Sequence, residues 1–266
     1  MKYIFWNTGR NNDINTILEE MIIEHNCDVL ILAEYEDSID ELCNSLFLKG
    51  FNYNINANMG GCRVKIILKS LFTISSYTEM EYYTIKKLNT GTLELLLACV
   101  HFPSLLRNTD EEITAISKIL ISDIETIEDS LHHRNTIITG DFNANPFDGS
   151  IIKACALHGI PVRNIAKKLA RTINFSEYKM FYNPMWNLLG DSREIPGTYY
   201  YDSGKQVNFY WNMFDQVIIR PNIIDYFNFN DLRIITSINN KTLISNTGIP
   251  HRNISDHLPI IYSLNI

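Results

Sequence analysis

The sequence predicts an α/β fold in which two mixed β-sheets pack face to face, with helices on their outer surfaces. Three observations lead to this prediction. Strand-like and helix-like segments alternate in the first half of the chain, the second half repeats the alternation, and no linker, low-complexity tract or internal repeat divides the 266 residues. One domain spanning residues 1–266 is therefore expected, although the pattern alone is also compatible with other α/β layouts.

Hydrophobic periodicity places the elements of the first half. Amphipathic helices are predicted at Ile14–Glu24 and Ile39–Leu48, and a longer helix at Asp110–Leu131. Thr109 or Asn108 would cap this long helix, whose first turn is acidic, as the helix dipole favours. Strands are predicted at Tyr3–Trp6, Val29–Ala33, Tyr53–Asn56, Val64–Leu68, Phe72–Ser75 and Leu93–Val100.

The second half continues with helices at Ser150–Leu157 and Asn164–Ala170. Its predicted strands are Thr136–Thr139, Thr198–Tyr201, Gln216–Ile219, Leu232–Thr236 and Ile260–Leu264. The segment Phe175–Trp211 differs, because it is rich in Tyr, Trp, Asn, Gly and Pro and lacks aliphatic periodicity. Connections of this kind often form the wall of a substrate cleft, and a packed surface loop is an equally good interpretation.

Composition indicates a soluble globular protein but does not identify its substrate. A hydrophobic share of 45% with 20% charged residues is ordinary for a soluble globular chain. The formal net charge of −7 gives no support to strong non-specific binding of nucleic acid, because an acidic surface repels a polyanion. A local basic rim and bound divalent ions could still offset that charge around a nucleic-acid substrate.

The cysteines and the apolar segments suggest a compartment. The five cysteines are odd in number and form no close pair of the kind that binds zinc. Cys27 and Cys99 lie inside apolar segments and are expected to be buried free thiols, which favours a reducing environment. No apolar stretch approaches the ~20 residues that span a bilayer. A cytoplasmic location without a membrane partner is therefore expected.

Polar side chains that could bind a metal ion or a phosphate recur where the predicted strands end. Asp141 and Asn143 follow one strand and stand two residues apart, so that in an extended chain both would project to one side. The full set of candidate site residues is Asn7, Glu34, His101, Asp141, Asn143, Asp215, Asp256 and His257.

Each of these residues alone has a simpler explanation. Asn7 before Thr8 and Gly9 is typical of a turn, and Asp215 could cap one. Their recurrence at successive strand ends carries the argument, because clustered carboxylates repel one another and a cation relieves that repulsion. Oxygen ligands suit a hard divalent ion, which can hold a phosphate and activate water. The pattern predicts a metal-dependent phosphoester hydrolase.

The order of these segments resembles the endonuclease/exonuclease/phosphatase superfamily, the DNase I-like proteins. The most specific matches are Gly140–Asn143 and Ser255–His257, and the resemblance extends from Asn7 to His257. It implies a four-layer sandwich, with two mixed sheets between outer helices and a cleft at the loop ends of the sheets.

The resemblance also implies roles for the individual residues. Asn7, Glu34 and Asp256 would hold the principal Mg²⁺ or Mn²⁺, with Asp141 and Asn143 as further ligands. Asp141 would also orient or deprotonate the attacking water, and Asn143 would donate to the phosphate or bind a second ion. His257, oriented by Asp215, would contact the scissile phosphate, and His101 would bind phosphate or protonate the leaving oxygen.

Two departures from the superfamily pattern concern residues around the histidines. Many relatives have Arg-x-Asp-Tyr around the aspartate that orients the histidine, whereas this chain has Asn212–Gln216, which keeps only the aspartate. DNase I-like relatives also place an acidic residue on the strand that orients the histidine at the position of His101. No acidic residue stands between Met59 and Leu71 in this sequence.

The leading hypothesis is a nuclease that cleaves DNA or RNA, with nucleic acid as substrate. The alternatives are a hydrolase of small phosphoesters with the same chemistry, and an inert nuclease-like binding protein. Two basic clusters could form rims for nucleic acid or could equally be solvated charged faces: Arg63, Lys65, Lys69, Lys86 and Lys87, and Lys167, Lys168 and Arg171. Aromatic residues that could stack on bases, or pack in sheets, are Tyr199, Tyr200, Tyr201, Trp186 and Trp211.

Overall fold

The predicted arrangement of two mixed sheets between helices is confirmed by the structure, a computed structural model that describes residues 1–56, 63–104, 108–191 and 195–266. Within these ranges the chain forms a six-stranded sheet and a seven-stranded sheet. The helices are α1 Asn15–His25, α2 Ile39–Leu48, α3 Asp110–Leu131, α4 Gly149–Ile152 and α5 Arg163–Ala166, with 3₁₀ turns at Pro184–Asn187 and Pro221–Ile223.

The strands follow the predicted order closely in the first half of the chain. They are β1 Lys2–Asn7, β2 Val29–Ala33, β3 Tyr53–Asn56, β4 Val64–Lys69, β5 Thr73–Glu79, β6 Tyr83–Asn89, β7 Glu94–His101, β8 Thr136–Asp141 and β9 Gly159–Ile160. The remaining strands are β10 Ala170–Ile173, β11 Ser176–Lys179, β12 Phe181–Tyr182, β13 Tyr199–Tyr201, β14 Tyr210–Asn212, β15 Asp215–Ile219, β16 Phe227–Ile234, β17 Ser237–Ile238, β18 Lys241–Thr242 and β19 Ile260–Leu264.

Each large sheet has a parallel pair at its centre. The first sheet has the strand order β16-β19-β1-β2-β4-β3, and the second has the order β5-β6-β7-β8-β15-β12-β9. In the first sheet β1 and β2 are parallel, and in the second sheet β7 and β8 are parallel. Because parallel strands end at the same edge of a sheet, the residues that follow these four strands are gathered at two sheet edges.

The sheets pack against each other through alternate residues of their strands. Tyr3 and Phe5 of β1 lie in the same core cluster as Leu97 of β7 and Val217 of β15, so this cluster lies between the sheets. Ile4 and Trp6 point the other way and pack with residues of α1 and α2. A third cluster joins the outer face of the second sheet to α3. This alternation produces the four layers, since successive strand residues face opposite sides.

The long helix α3 begins as predicted. Thr109 is its N-cap: the side chain accepts a hydrogen bond from the backbone N–H of Glu112, whose carboxylate in turn accepts from the backbone N–H of Thr109. This reciprocal capping box satisfies two backbone donors at the helix start. The predicted buried thiols are also found, since Cys27 and Cys99 are buried and free. None of the helices in the described ranges is long and apolar enough to cross a membrane.

The secondary structure differs from the prediction at several points, of which three follow. Strand β6 was not predicted, because Thr84, Lys86 and Lys87 interrupt its apolar pattern. The helix expected at Ser150–Leu157 ends at Ile152, and the next residues form turns. The helix expected at Asn164–Ala170 ends at Ala166, after which β10 and β11 form a hairpin.

Candidate active site

Strand register gathers the candidate residues at one end of the sandwich. His101 of β7 is paired with Asp141 of β8, and Asp141 is also paired with Asp215 of β15. In the facing sheet, Asn7 ends β1 beside Ala33, the residue before Glu34. Side chains predicted from five separate segments are therefore brought together, as the sequence pattern required.

Asp141 lies at the centre of this group and is almost fully buried. Its Oδ2 atom accepts hydrogen bonds from Nδ2 of Asn7 at 2.9 Å and from Nδ2 of Asn143 at 3.3 Å. The Nε2 atoms of His101 and His257 each lie 3.9 Å from the same oxygen. One carboxylate oxygen is thus surrounded by nitrogen atoms from both sheets.

Gly140 allows Asp141 to take this position. Its φ of +150° is unfavourable for residues with side chains, and a Cβ atom added there would lie only 2.0 Å from the backbone oxygen of Val100. A glycine is therefore required for the close approach of β7 and β8 immediately before the central carboxylate.

Asn143 lies beside Asp141 for a different reason from the one predicted. Both residues were predicted to lie in an extended chain, whereas Asn143 has a left-handed backbone with φ of +45°. Its backbone N–H donates to Oδ1 of Asp141 at 2.8 Å, and its Nδ2 donates to the backbone oxygen of Phe102 at 2.8 Å. The two side chains are adjacent because of a turn stabilised by Asp141, and asparagine tolerates the left-handed conformation that this turn needs.

His257 and Asp215 form a buried acid–base pair. The Nδ1 atom of His257 lies 2.8 Å from Oδ2 of Asp215. Burial acts to lower the pKa of His257, but the carboxylates of Asp215 and Asp141 outweigh it and raise that pKa to about 10. The imidazole is therefore positively charged at neutral pH, and its Nε2 points towards Asp141.

Backbone and ring contacts hold His257 in place. Its backbone N–H donates to the hydroxyl of Ser255 at 3.0 Å, and that hydroxyl donates to the backbone oxygen of Asn7 at 2.8 Å. The indole N–H of Trp6 donates to the backbone oxygen of His257 at 2.9 Å. The ring of Tyr199 lies against the imidazole, with centroids 4.7 Å apart. These contacts tie the last loop to the end of β1.

Glu34 occupies a strained position immediately after β2. Its backbone φ is +47°, a value that is uncommon for glutamate. Residues with such strained backbone conformations often occur at functional sites, where the surrounding structure keeps them in that conformation. Its Oε1 lies 3.3 Å from Nε2 of His101, and its Oε2 lies 3.2 Å from Nε of Arg10. The hydrogen bond with His101 lowers the pKa of Glu34 to about 2, against the opposing effect of burial. This carboxylate is ionised at any ordinary pH.

His101 lacks the acidic partner that the superfamily pattern would supply. Its Nδ1 atom is buried and has no hydrogen-bond partner among the described residues. Its Nε2 faces Glu34 and Asp141 instead. The absence of an acidic residue between Met59 and Leu71 is consistent with this geometry.

Asn7 and Asp256 each have a side-chain oxygen beside Gly9. Asp256 is half-buried and lies beside Gly9, where a Cβ atom would approach Oδ1 of Asp256 to 3.1 Å. The backbone N–H of Gly9 also donates to Oδ1 of Asn7 at 3.0 Å, which leaves that oxygen a second lone pair. Together with Glu34, these side chains present the oxygen donors that Mg²⁺ or Mn²⁺ requires.

Another possible ligand group among the described residues consists of Asp141, Asp215 and His257, whose donor atoms lie within 4.8 Å of one another. His257 and Asp215 are already hydrogen-bonded through the atoms that face each other. We therefore interpret these two as an acid–base pair, with Asp141 shared between that pair and the oxygen-rich side of the site.

The candidate residues open into a cleft of about 630 Å³. Glu34, His101, Asp141, Asp256 and His257 lie in its lining. Aromatic and basic side chains form its outer walls; they are Tyr82, Tyr199, Tyr201, Phe209, Phe214, Arg10, Arg63 and Lys205. For the segment Phe175–Trp211 a cleft wall and a packed surface loop were equally good interpretations. Several of its described residues between 199 and 209 line the cleft, whereas residues 192–194 lie outside the described ranges.

Only some of the predicted stacking and basic residues reach this cleft. Tyr199 and Tyr201 line it, whereas Tyr200 and Trp211 pack against each other with ring centroids 5.5 Å apart. Trp186 contacts the ring of Phe147. Lys86 was expected either in a basic rim or on a solvated charged face, and both interpretations were wrong, because its side chain is fully buried and paired with Glu79.

Arg63 is the member of that first basic cluster that lines the cleft, and it pairs with Glu81. Arg10, Tyr82, Lys205 and Phe209 also line the cleft although the sequence analysis did not select them. For Arg10 a signal existed, since it follows the turn that begins at Asn7. Phe209 and Lys205 belong to the aromatic-rich segment, but no periodicity distinguished them from their neighbours.

Comparison with solved structures identifies the fold. A TDP2 structure from Caenorhabditis elegans matches with a TM-score of 0.60 at 15% identity, covering 99% of this chain and 96% of that one. The endonuclease domain of TRAS1, a telomere-specific non-LTR retrotransposon, matches with a TM-score of 0.59 at 12% identity, covering 100% and 98%.

A third match is ANGEL2, a 2′,3′-cyclic phosphatase, solved in complex with adenosine-2′,3′-vanadate. Its TM-score is 0.57 at 13% identity, with 100% of this chain and 96% of that chain covered. No protein-family model matches the sequence, and no curated protein matches it either. At these identities the matches establish the fold alone: this chain has the DNase I-like fold, which confirms the fold that the sequence resemblance implied.

Proposed function

We propose that this protein is a divalent-metal-dependent phosphodiester hydrolase and that its substrate is nucleic acid. One observation carries the proposal: the buried carboxylate of Asp141 lies 3.9 Å from Nε2 of His257, whose other ring nitrogen is held by Asp215. A general base and a charged hydrogen-bond donor thus stand side by side at the floor of an open cleft.

Asp141, His257 and Asp215 have separate roles in the proposed hydrolysis. Asp141 orients a water molecule for in-line attack on phosphorus and accepts its proton. The imidazolium of His257 donates a hydrogen bond to a phosphate oxygen and stabilises the negative charge that develops in the transition state. Asp215 keeps the imidazole oriented and charged, as a buried carboxylate does for a catalytic histidine.

Asn143 and His101 complete the polar floor of the cleft. Both hydrogens of the Asn143 amide are engaged, with Phe102 and Asp141 as acceptors, so its Oδ1 is the atom left to contact a cation or a solvent molecule. His101 lies beside Glu34 and Asp141, where it is placed to bind a phosphate oxygen or to protonate the leaving oxygen.

Asn7, Glu34 and Asp256 are the side chains proposed to hold a divalent cation, with Asp141 and Asn143 as adjoining oxygen donors. When bound there, Mg²⁺ or Mn²⁺ would neutralise phosphate charge and favour deprotonation of water. The low pKa of Glu34 supports this assignment, because its carboxylate remains ionised and available as a ligand.

The cleft walls favour nucleic acid, and single strands in particular. Tyr201 and Phe209 are 39% and 57% exposed at the cleft, and exposed aromatic rings stack on unpaired bases of any sequence. Arg10, Arg63 and Lys205 place positive charge along the same cleft, next to which a phosphate backbone would pass. The TRAS1 match, an endonuclease domain, is in keeping with this substrate.

A small phosphoester is the second candidate substrate. It is favoured by the ANGEL2 match, since that phosphatase was solved with adenosine-2′,3′-vanadate, and by the acidic charge of the whole chain. The same catalytic residues would serve, but the outer aromatic and basic residues would contribute little to turnover.

The test is a hydrolysis panel with purified protein and Mg²⁺ or Mn²⁺. Plasmid DNA, single-stranded DNA, RNA, a cyclic nucleotide and a phosphomonoester are compared, with a chelator and with His257→Ala as controls. Cleavage of single-stranded nucleic acid that needs both the metal and His257 supports the nuclease. Turnover of only the small esters selects the second candidate, and metal-independent or absent turnover of every substrate contradicts the proposal.

A further inference from the structure

A second surface, remote from the cleft, combines exposed apolar side chains with positive charge. It extends from Val162 to Lys179 and comprises α5, the turn after it and the β10–β11 hairpin; we call it the basic hairpin surface. The side chains of Val162, Ile165 and Leu169 are 54%, 42% and 52% exposed, and Phe175 at the hairpin tip is fully exposed at 104%.

The three aliphatic residues lie in or next to the short helix α5. Val162 precedes α5 with an extended backbone, Ile165 lies within it, and Leu169 follows it in the left-handed conformation with φ of +74°. The backbone oxygen of Leu169 accepts a hydrogen bond from the N–H of Met180 at 2.7 Å. Leu169 therefore lies at the base of the β10–β11 hairpin, and Phe175 lies at its tip.

Phe175 occupies an unfavourable backbone conformation without any packing in return. Ile173 and Ser176 are paired, so Asn174 and Phe175 form a two-residue turn, with φ of +48° and +66°. Such turns favour asparagine followed by glycine, because both positions need a positive φ. A phenylalanine there costs conformational energy, and its exposed ring stabilises nothing within the fold. A contact with another molecule would bury this exposed ring.

The electrostatic character of the surface is opposite to that of the chain. Residues 161–180 contain five basic residues, Arg163, Lys167, Lys168, Arg171 and Lys179, and one acidic residue, Glu177. The segment has a net charge of +4 in a chain whose formal net charge is −7. Lys167 and Lys179 are paired with Asp225 and Glu125, whereas Lys168 and Arg171 are exposed and form no ion pair with the described residues.

The surface lies at the far end of the second sheet from the cleft. The hairpin leads directly into β12, and β12 pairs with β15 at Ile219. Asp215, at the other end of β15, belongs to the active site, so the two ends are roughly 13 Å apart along the strand at about 3.3 Å per residue. None of the hairpin residues lines the cleft.

We propose that the basic hairpin surface docks onto an anionic phospholipid bilayer, with Phe175 and Leu169 entering the interfacial layer and Lys168 and Arg171 contacting lipid phosphates. Basic residues next to exposed apolar side chains bind anionic membranes through both charge and apolar burial. Nucleic acid would match the charge and stack on Phe175, but it offers no apolar environment to the exposed aliphatic side chains of Val162, Ile165 and Leu169. The cleft, at the other end, would remain open to solvent.

This proposal differs from the expectation that the chain has no membrane partner. That expectation was based on the absence of a bilayer-spanning stretch, whereas a contact of this kind uses a protruding hairpin and the side chains beside it. It is also independent of the proposed hydrolytic function, since it involves none of the residues of the cleft.

Vesicle co-sedimentation of the whole protein tests the proposal. Vesicles of phosphatidylcholine and phosphatidylserine in a two-to-one ratio are compared with vesicles of phosphatidylcholine alone. We expect binding to the anionic vesicles only, weakened by added salt because charge is screened. The double variant Leu169→Ser and Phe175→Ser should reduce the bound fraction on the order of tenfold, and Lys168→Glu with Arg171→Glu should reduce it similarly.

The matched control is Phe47→Ser with Leu48→Ser, which removes two side chains on α2 that are 64% and 85% exposed. This control should bind vesicles as the unmodified chain does, and all variants should retain the melting temperature and the hydrolysis of soluble substrate. Absence of vesicle binding, equal binding to both lipid compositions, or an equal loss in the α2 control would overturn the proposal. A loss of oligonucleotide binding in the hairpin variants, with no vesicle binding, would assign the surface to nucleic acid instead.

Discussion

The imidazole of His257 is hydrogen-bonded at Nδ1 to the buried carboxylate of Asp215, 2.8 Å away, while its Nε2 lies 3.9 Å from Asp141. Asp215 comes from the start of β15 and His257 from the loop before β19, so the pair joins the two sheets. The carboxylates raise the pKa of His257 to about 10 despite its burial. The pair therefore holds a positively charged imidazole at the floor of the cleft.

Replacing Asp215 by Asn should lower activity by roughly 10²–10⁴-fold at neutral pH, because His257 loses the charge that keeps it protonated. Burial would then dominate, and the pKa of the imidazole would fall. The alkaline limb of the pH–rate profile should move to lower pH, which is measured as kcat/KM at a series of pH values. Asp225→Asn, an exposed residue paired with Lys167, is the control. An unchanged profile in Asp215→Asn would show that His257 does not act as the charged form.

Glu34→Gln should raise the concentration of Mg²⁺ needed for half-maximal activity by about 10–100-fold, because one anionic ligand becomes neutral. The measurement is the hydrolysis rate across a Mg²⁺ titration. Glu36→Gln is the matched control, since Glu36 is a more exposed carboxylate 4.0 Å from the same Arg10. Equal metal requirements in the two variants would remove Glu34 from the proposed ligand set.

Tyr201→Ala and Phe209→Ala should each raise KM for a single-stranded oligonucleotide by roughly 10- to 100-fold, with little change in kcat, because a stacked base contributes binding energy rather than chemistry. KM for a small phosphodiester should stay the same. Tyr77→Ala serves as the control, because Tyr77 is 44% exposed and does not line the cleft. If both cleft variants bind the oligonucleotide normally, the aromatic wall is not a base-binding surface.

His158 should make the folded protein sensitive to acid. Its side chain is buried, and burial lowers its pKa below the ordinary value of 6.5. Below pH 6.5 the unfolded chain therefore binds a proton at this histidine that the folded chain does not bind. This contribution to the free energy of unfolding is present above pH 6.5 and is lost progressively as the pH falls below that value.

Urea denaturation at neutral and mildly acidic pH measures this effect. His158→Asn should cost about 1–3 kcal/mol at neutral pH and should then lose less stability on acidification than the unmodified chain does. The matched control is His132→Asn, because His132 is exposed and both histidines have a left-handed backbone, with φ of 49° and 56°. Identical acid sensitivity in all three proteins would contradict the argument.

Much of this site could be predicted from strand ends alone. Asn7, Glu34, His101 and Asp141 were selected because each ends or follows an apolar run, and parallel pairing then brings such ends to one edge. The position of Asn143 was predicted for the wrong reason, since its left-handed turn depends on hydrogen bonds to Asp141 and Phe102 that no local pattern encodes.

Other features depend on tertiary contacts and could not be predicted. Strand β6 contains Lys86, which is tolerated in the interior because Glu79 and Ser76 of β5 accept hydrogen bonds from it. The helix expected after Ser150 was too long, because periodicity does not indicate where the chain turns back to form the two-residue strand β9. Arg10, Tyr82 and Phe209 reach the cleft through loops, whose conformation is set by packing rather than by periodicity.

The most direct test of the account is the rate of metal-dependent phosphodiester hydrolysis by Asp141→Asn, measured beside the unmodified protein and beside Asp129→Asn, an exposed control. The account predicts a loss of roughly 10³-fold in Asp141→Asn alone, with the circular dichroism spectrum and the melting temperature preserved. Hydrolysis that continues at the normal rate in a folded Asp141→Asn protein would contradict the central role assigned to this carboxylate.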